Sequence, residues 1–206
     1  MVVVIVIFEG LDNCGKTTLV GMLHDYYSDK GIETEVSKEF GTNIGKEIKA
    51  MAEAKTLDPI LKGYLFAADR YIRMRNISKE DMESKILFFD RYVPSALAYR
   101  MAEGVDKDWV TNLNSVFPKA DIGFYIDITP EESIKRNTDT KFNIKALAEH
   151  LAKVRESYIS ILKENKLIPI NGMQPLENIF QEVVHILEDY RANKDRRKKV
   201  DYDPEF

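Results

Sequence analysis

Four residues near the start of the chain have the types and spacing to grip phosphate: Gly10, Gly15, Lys16 and Thr17, in "GLDNCGKTT". Glycines let a backbone curl until successive N–H groups point inward at an anion. A helix beginning near Lys16 adds the positive end of its dipole. In the pattern G-x-x-x-x-G-K-[ST] the lysine reaches the β and γ phosphates of a nucleoside triphosphate, and the hydroxyl of Thr17 is placed to ligate Mg²⁺. Asn13, Cys14 and Thr18 complete the loop. Such a loop needs a strand before it and a helix after it. Val2 to Phe8 is an apolar, mostly β-branched run, the pattern of a strand buried on both faces. Leu19, Met22, Leu23, Tyr26 and Tyr27 then recur at helical spacing, and Gly31 supplies the stop.

Two further groups could act on what the loop holds. Asp90 and Arg91 directly follow the apolar run Ile86 to Phe89. A carboxylate there lies beside the phosphate loop and can hold Mg²⁺ directly or through water, while Arg91 can fork onto a phosphate. The plainer role, an ion pair tying a strand end, gives way because the phosphate loop is adjacent. Phe66 and Arg70, in "LFAADR", are spaced to share a helix face. A ring and a guanidinium on one face can clasp a flat base, by stacking and by hydrogen bonds to its edge. Taken alone, the plainer reading wins: Phe66 is a core ring and Arg70 a surface ion pair.

The elements that must position these groups alternate. Expected strands are Val2 to Phe8, Glu33 to Ser37, Ile86 to Phe89, Ile122 to Ile128 and Leu167 to Ile170. Expected helices are Lys16 to Lys30, Ile44 to Ala54, one opening at Asp58-Pro59, Ser95 to Ala102, Asp106 to Val116, Pro130 to Arg136, Ile144 to Lys163 and Pro175 to Tyr190. Short apolar strands separated by helices imply a parallel sheet covered on both faces, with ligands outside the carboxyl ends of the strands.

The bulk numbers agree with one globular domain, expected over residues 1–193, followed by a charged tail over 194–206. The chain has 206 residues, 44% of them hydrophobic, and a formal net charge of -4, which speaks against a general nucleic-acid binder. The basic run "RANKDRRKK" reads as part of a solvated tail. A single cysteine, Cys14, permits no internal disulfide, so a reducing compartment, the cytoplasm, is expected. The apolar N-terminal run is too short for a membrane span and reads as the first strand. Cys14 reads as filler at a variable loop position rather than a redox switch, and His24, His150 and His185 lack ligand spacing, so no zinc site is expected.

"FEGLDNCGKTT", "LFAADR", "DRYVPSALAY" and "IGFYIDITPEESIKR" occur in the order and spacing found in thymidylate kinases, and the chain resembles that family from Val3 to about Tyr190. The resemblance implies a P-loop NTPase fold of the three-layer α/β type: a five-stranded parallel sheet flanked by helices, with a short lid, here about 137–143. It implies transfer of the γ-phosphate of ATP to dTMP with Mg²⁺, by a homodimer. Carried over, Gly10 to Thr18 holds ATP with Lys16 at the transferred phosphoryl, and Thr17 and Asp90 lie at the metal. Asp12 meets the acceptor sugar's 3′-hydroxyl, Phe66 stacks on thymine and Arg70 bonds its edge. Arg91 grips the acceptor phosphate, Ser95 joins the acceptor site and Tyr99 lies against the deoxyribose. Arg136 faces the donor nucleotide, and Gly172 and Met173 line the adenine.

Two departures from the family stand out. Its usual arginine-bearing "REPGG[ST]" loop is replaced by "KEFGT", Lys38 to Thr42, which leaves Lys38 as a point charge for the acceptor phosphate. The phosphate loop carries no arginine and the expected lid "NTDTKFN" only Lys141, so Arg136, Lys141 or Arg155 is expected to supply the transition-state cation. Other readings stay open: a kinase for another nucleoside monophosphate or a deoxynucleoside, a P-loop switch or ATPase, or an idle nucleotide-binding relative.

Overall fold

Strand β1 (Val4–Gly10) is buried at every position. In this computed structural model, which describes residues 4–54, 56–78, 84–137 and 144–200, β1 lies at the centre of the sheet. It pairs in parallel with β3 (Ile86–Asp90) on one side and β4 (Ile122–Asp127) on the other. β2 (Thr34–Lys38) flanks β3, and β5 (Leu167–Asn171) flanks β4, giving the order β2-β3-β1-β4-β5, all parallel. This is the expected five-stranded α/β sheet. Parallel neighbours require crossover connections, and helices supply them.

Those helices are α1 (Lys16–Asp29), α2 (Asn43–Glu53), α3 (Pro59–Asn76), α4 (Val93–Ala102), α5 (Lys107–Leu113), α6 (Pro130–Lys135), α7 (Ile144–Ile161) and α8 (Leu176–Val200). Their starts follow from sequence chemistry. The Asp58 carboxylate accepts from the amides of Ile60 and Leu61, both at 2.9 Å, ahead of Pro59 at the first helical position. Asp106 caps α5 through the Trp109 amide at 2.8 Å, and Thr129 caps α6 through that of Glu132 at 3.2 Å.

Most boundaries shift by a residue or two from the sequence reading, and three of the shifts have a visible local cause. α4 starts at Val93, because Pro94 is tolerated within a first turn. α5 ends at Leu113, and the side chain of Asn114 turns inward to bond Val110 O at 2.8 Å and Arg70. α8 continues past Tyr190 to Val200, since no glycine or proline interrupts the basic run. Residues 138–143, most of the expected lid including Lys141, lie outside the described residues, as do 201–206.

Phe8, fully buried, stacks on Phe124 at 5.5 Å and meets the edge of Phe88 at 6.0 Å, so the core runs through the middle of β1. Register then fixes the working edge. Phe8 is level with Asp90, Lys38 with Asp90, and Gly10 with Ile126. The phosphate loop, Asp90-Arg91 and the end of β4 therefore emerge together at the carboxyl edge of the sheet, where ligands of open α/β folds bind.

Candidate active site

β1 runs straight into the loop. Gly10 has φ 142°, and a Cβ there would sit 2.5 Å from the Ile126 carbonyl oxygen and 2.8 Å from Cys14 Sγ, so only glycine fits. Gly15, at φ 99°, precedes α1 without a side-chain cap, which turns the helix's first N–H groups to the loop. Lys16 is 5% exposed and folds back over the loop, donating to Leu11 O at 2.7 Å, Gly10 O at 3.2 Å and Cys14 Sγ at 3.3 Å. Asn13, Gly15, Lys16, Thr17, Thr18 and Arg136 line a cavity of about 330 Å³. Arg136 donates to Glu132 at 2.8 Å and to Gly172 O at 3.2 Å, so it bridges this cavity to the turn after β5, where Met173 is half exposed.

A larger cavity of about 380 Å³ opens between loop and β3. Lys16, Thr17, Asp90, Arg91 and Asp12 are among its walls. Within it the Thr17 hydroxyl donates to Asp90 Oδ2. A hydroxyl and a carboxylate from two elements, side by side near a lysine, form an oxygen pair suited to a hard divalent cation.

Arg91 is the hub of the next region. Its Nη1 donates to Gly10 O at 3.2 Å and Ser95 Oγ at 3.3 Å, its Nη2 to Asp12, and its Nε lies 3.6 Å from Glu39. The guanidinium lies 5.0 Å from the centre of the Tyr99 ring. Desolvation in the cleft opposes charge on Asp12, and Arg91 and Lys16 outweigh it, holding that carboxyl below its ordinary value. Asp12 nevertheless keeps 58% of its side-chain surface, at the cleft mouth.

An inner cavity of about 180 Å³ shares Asp12, Glu39, Phe40 and Arg91 with the larger one, so the two adjoin. Gly63, Phe66, Ser95, Ala96, Tyr99 and Arg100 line the inner part alone. The structure thus brings together Asp12, Phe66, Arg91, Ser95 and Tyr99. Arg70 is not among them. It is 1% exposed, with Nη1 donating to Asn114 Oδ1 at 2.6 Å and Nη2 to Tyr92 O at 3.2 Å. Lys38 ends β2 with an exposed side chain and lines none of these cavities. Arg155 is held by both oxygens of Asp127, at 2.7 and 2.8 Å.

The "KEFGT" loop is tied to α3. Asp69 accepts from the Phe40 amide at 3.3 Å and the Thr42 hydroxyl at 2.6 Å. This holds Phe40 at φ 60° with its ring 5.2 Å from that of Phe66.

Sequence reasoning passed over Glu9, Glu39, Arg100 and Tyr158. Glu9 is fully buried and accepts from the Tyr92 amide at 2.9 Å, Tyr158 Oη at 3.0 Å and the Ser95 hydroxyl. It therefore ties the end of β1 to α4 and α7, and reaches Arg91 through Ser95. A lone acid inside an apolar strand was the available signal.

A phosphate loop ending β1, an oxygen pair beside it and an adjoining pocket for a second molecule make this a P-loop α/β protein built for phosphoryl transfer. A family model described as thymidylate kinase matches residues 8–183. The chain is 34% identical over 186 residues to "Probable thymidylate kinase 1" of Saccharolobus solfataricus, covering 89% of this chain and 96% of that relative. It is 35% identical over 182 residues to "Probable thymidylate kinase" of Sulfurisphaera tokodaii, covering 87% and 93%. It is 31% identical over 195 residues to "Thymidylate kinase" of Thermoanaerobacter pseudethanolicus, covering 89% and 96%. The chain belongs to the thymidylate kinase family: it is a phosphotransferase of the nucleoside monophosphate kinase kind.

Proposed function

We propose that this enzyme transfers the γ-phosphoryl group of Mg-ATP to dTMP, yielding dTDP, as a cytoplasmic homodimer. The observation that carries the reading is the wall the two cavities share: Asp12 and Arg91 line both the cavity of the Thr17–Asp90 corner and the pocket walled by Phe66.

The loop amides and Lys16 bind the donor phosphates, with Lys16 exchanging its bonds to Leu11 O and Gly10 O for phosphate oxygens. Arg136, with Gly172 and Met173 beyond it, orients the donor base. Thr17 and Asp90 would hold Mg²⁺, which would supply charge neutralisation to the phosphates. Arg91 exchanges Glu39 for the acceptor phosphate. Phe66 stacks on the base, Tyr99 packs against the sugar and Asp12 accepts from its hydroxyl. Positioning and charge neutralisation are the catalysis that phosphoryl transfer needs.

The test is ADP release with dTMP, dUMP, dCMP, dGMP, UMP and thymidine as acceptors. Preference for dTMP supports the reading, and preference for another acceptor overturns it in favour of a changed substrate behind the altered "KEFGT" loop. Among the described residues no helix is long and apolar enough to cross a membrane. For the second copy, Leu97 and Met101 offer little surface, since both pack on the core. Support comes instead from α3, where Ile60, Leu61, Tyr64 and Tyr71 are 39–57% exposed. Light scattering that shows a monomer at micromolar concentration removes the dimer.

A further inference from the structure

We infer that Ser133 is a positioning residue: together with Asn13 it clamps α6 to the phosphate loop and so fixes where Arg136 stands at the donor cavity. The inference rests on the reading of Arg136 as the cation that assists transfer, and it names the contact that aims it.

Within the phosphate loop Lys16 is the only cation. The other cation on the wall of the donor cavity, Arg136, arrives at the end of α6. A helix of six residues has little stability of its own, so its place is decided by what it touches. A serine inside a helix commonly returns its hydroxyl to its own backbone. Ser133 does not: its Oγ donates to Asp12 O at 2.7 Å, across 121 positions of sequence. Asn13 Nδ2 donates back to Ser133 O at 3.2 Å. One residue of α6 thus holds two consecutive residues of the loop, through bonds that run in opposite directions. Ser133 is 1% exposed, so water does not take over its side of either bond. Asn13 has φ 60°, a left-handed backbone that asparagine tolerates better than most side chains do.

Arg136 follows Ser133 by one helical turn. Its Nε donates to Glu132 at 2.8 Å and its Nη2 to Gly172 O at 3.2 Å, so the guanidinium has little freedom apart from the helix. The clamp therefore sets the distance between Arg136 and Lys16. A misplacement of about 1 Å in such a group costs about 100-fold in rate. Asp12 also faces the acceptor pocket, where it accepts a hydrogen bond from Arg91. A single serine thus relates the donor-side cation to the acceptor side of the cleft.

The test uses the full chain with Mg-ATP and dTMP, or whichever acceptor the wild-type enzyme prefers. The variants are Ser133→Ala, Asn13→Gly, Arg136→Ala and the double variant Ser133→Ala with Arg136→Ala, and the readouts are single-turnover rates and KM values. Alanine is a better helix former than serine, so Ser133→Ala leaves α6 itself intact. It is expected to lower the rate about tenfold, with KM for ATP and for the acceptor within about threefold of wild type. Asn13→Gly removes the other bond and keeps the left-handed backbone, so it takes the place of Ser133→Ala if that variant does not fold. In the Arg136→Ala background Ser133→Ala is expected to change the rate by less than about twofold, because a clamp that acts through Arg136 has nothing left to aim. An unchanged rate in Ser133→Ala, or losses that multiply in full in the double variant, overturns the inference. A loss confined to KM for the acceptor overturns it too, by placing the effect at Asp12. If Arg136→Ala alone keeps the wild-type rate, the reading of Arg136 as the assisting cation fails, and this inference falls with it.

Discussion

Replacing Glu9 by leucine tests whether the buried carboxylate holds both fold and site. Leucine has similar volume, so the cavity term is small and the cost comes from stranded donors. Three donors now end on Glu9: the Tyr92 amide at 2.9 Å, Tyr158 Oη at 3.0 Å and the Ser95 hydroxyl. Ser95 Oγ and Tyr158 Oη lie 2.8 Å apart, so one hydroxyl can turn to the other. Two donors remain without acceptors, at about 1–3 kcal/mol each, giving about 2–6 kcal/mol of lost stability. Of a typical total of about 5–15 kcal/mol, that is a large share. Tyr158→Phe removes a donor rather than stranding one, and is expected to cost only about 1 kcal/mol. Urea titrations of the two variants give the comparison. Activity adds a second readout: Ser95 also accepts from Arg91 at 3.3 Å, so in Glu9→Leu the aim of Arg91 loosens. Acceptor kcat/KM is expected to fall about 10- to 100-fold with KM for ATP little changed. A Leu variant within about 1 kcal/mol of wild type, or no worse than Tyr158→Phe, refutes the reasoning.

Asp90→Asn leaves Thr17 a neutral partner, and is expected to lower kcat about 100-fold or more while raising the Mg²⁺ needed for half-maximal rate; an unchanged Mg²⁺ titration counts against the metal corner. Arg136 opens on the phosphate-loop cavity whereas Arg155 is committed to Asp127, so Arg136→Ala should lower kcat about 100-fold or more and Arg155→Ala less than about tenfold. The reverse order in single-turnover rates rejects that assignment. Burial pushes the Glu39 carboxyl above its ordinary value, against the pull of Arg91, Arg70 and Arg73. The folded state then binds more protons than the unfolded chain, so this group's contribution falls as pH rises from the unfolded value through the folded one. Glu39→Gln removes that slope, and its stability relative to wild type should grow from about pH 4 toward neutrality. Urea titrations across that range check it, and a constant difference rejects it.

The sheet was legible because β1 and β3 are apolar on both faces and the loop motif has a fixed strand–turn–helix context. Asp58, followed by Pro59, announced its helix through local capping chemistry. The acceptor pocket was less legible, because helical spacing relates Phe66 to Arg70 without saying which side of α3 meets the cavity. In the fold Phe66 faces it and Arg70 turns toward Asn114, a partner 44 positions away. Arg100 sits next to Tyr99 in sequence, and nothing local distinguishes it from a surface cation. The "KEFGT" loop read as a loss of charge. Its shape depends on Asp69, which no local pattern connects to it.

Arg91 has φ 67°, a left-handed backbone that a long side chain adopts only at a cost of about 1–3 kcal/mol. Its amide is held by Phe8 O at 3.1 Å, and the next amide by Glu9, so the surroundings keep it there. Glycine would take the same conformation without strain. Glycine would also strip Asp12, Ser95 and Glu39 of their cationic partner, a loss larger than the strain it relieves. The same side chain that is aimed at the acceptor thus also holds its own strained backbone in place, so the position carries stability and function together.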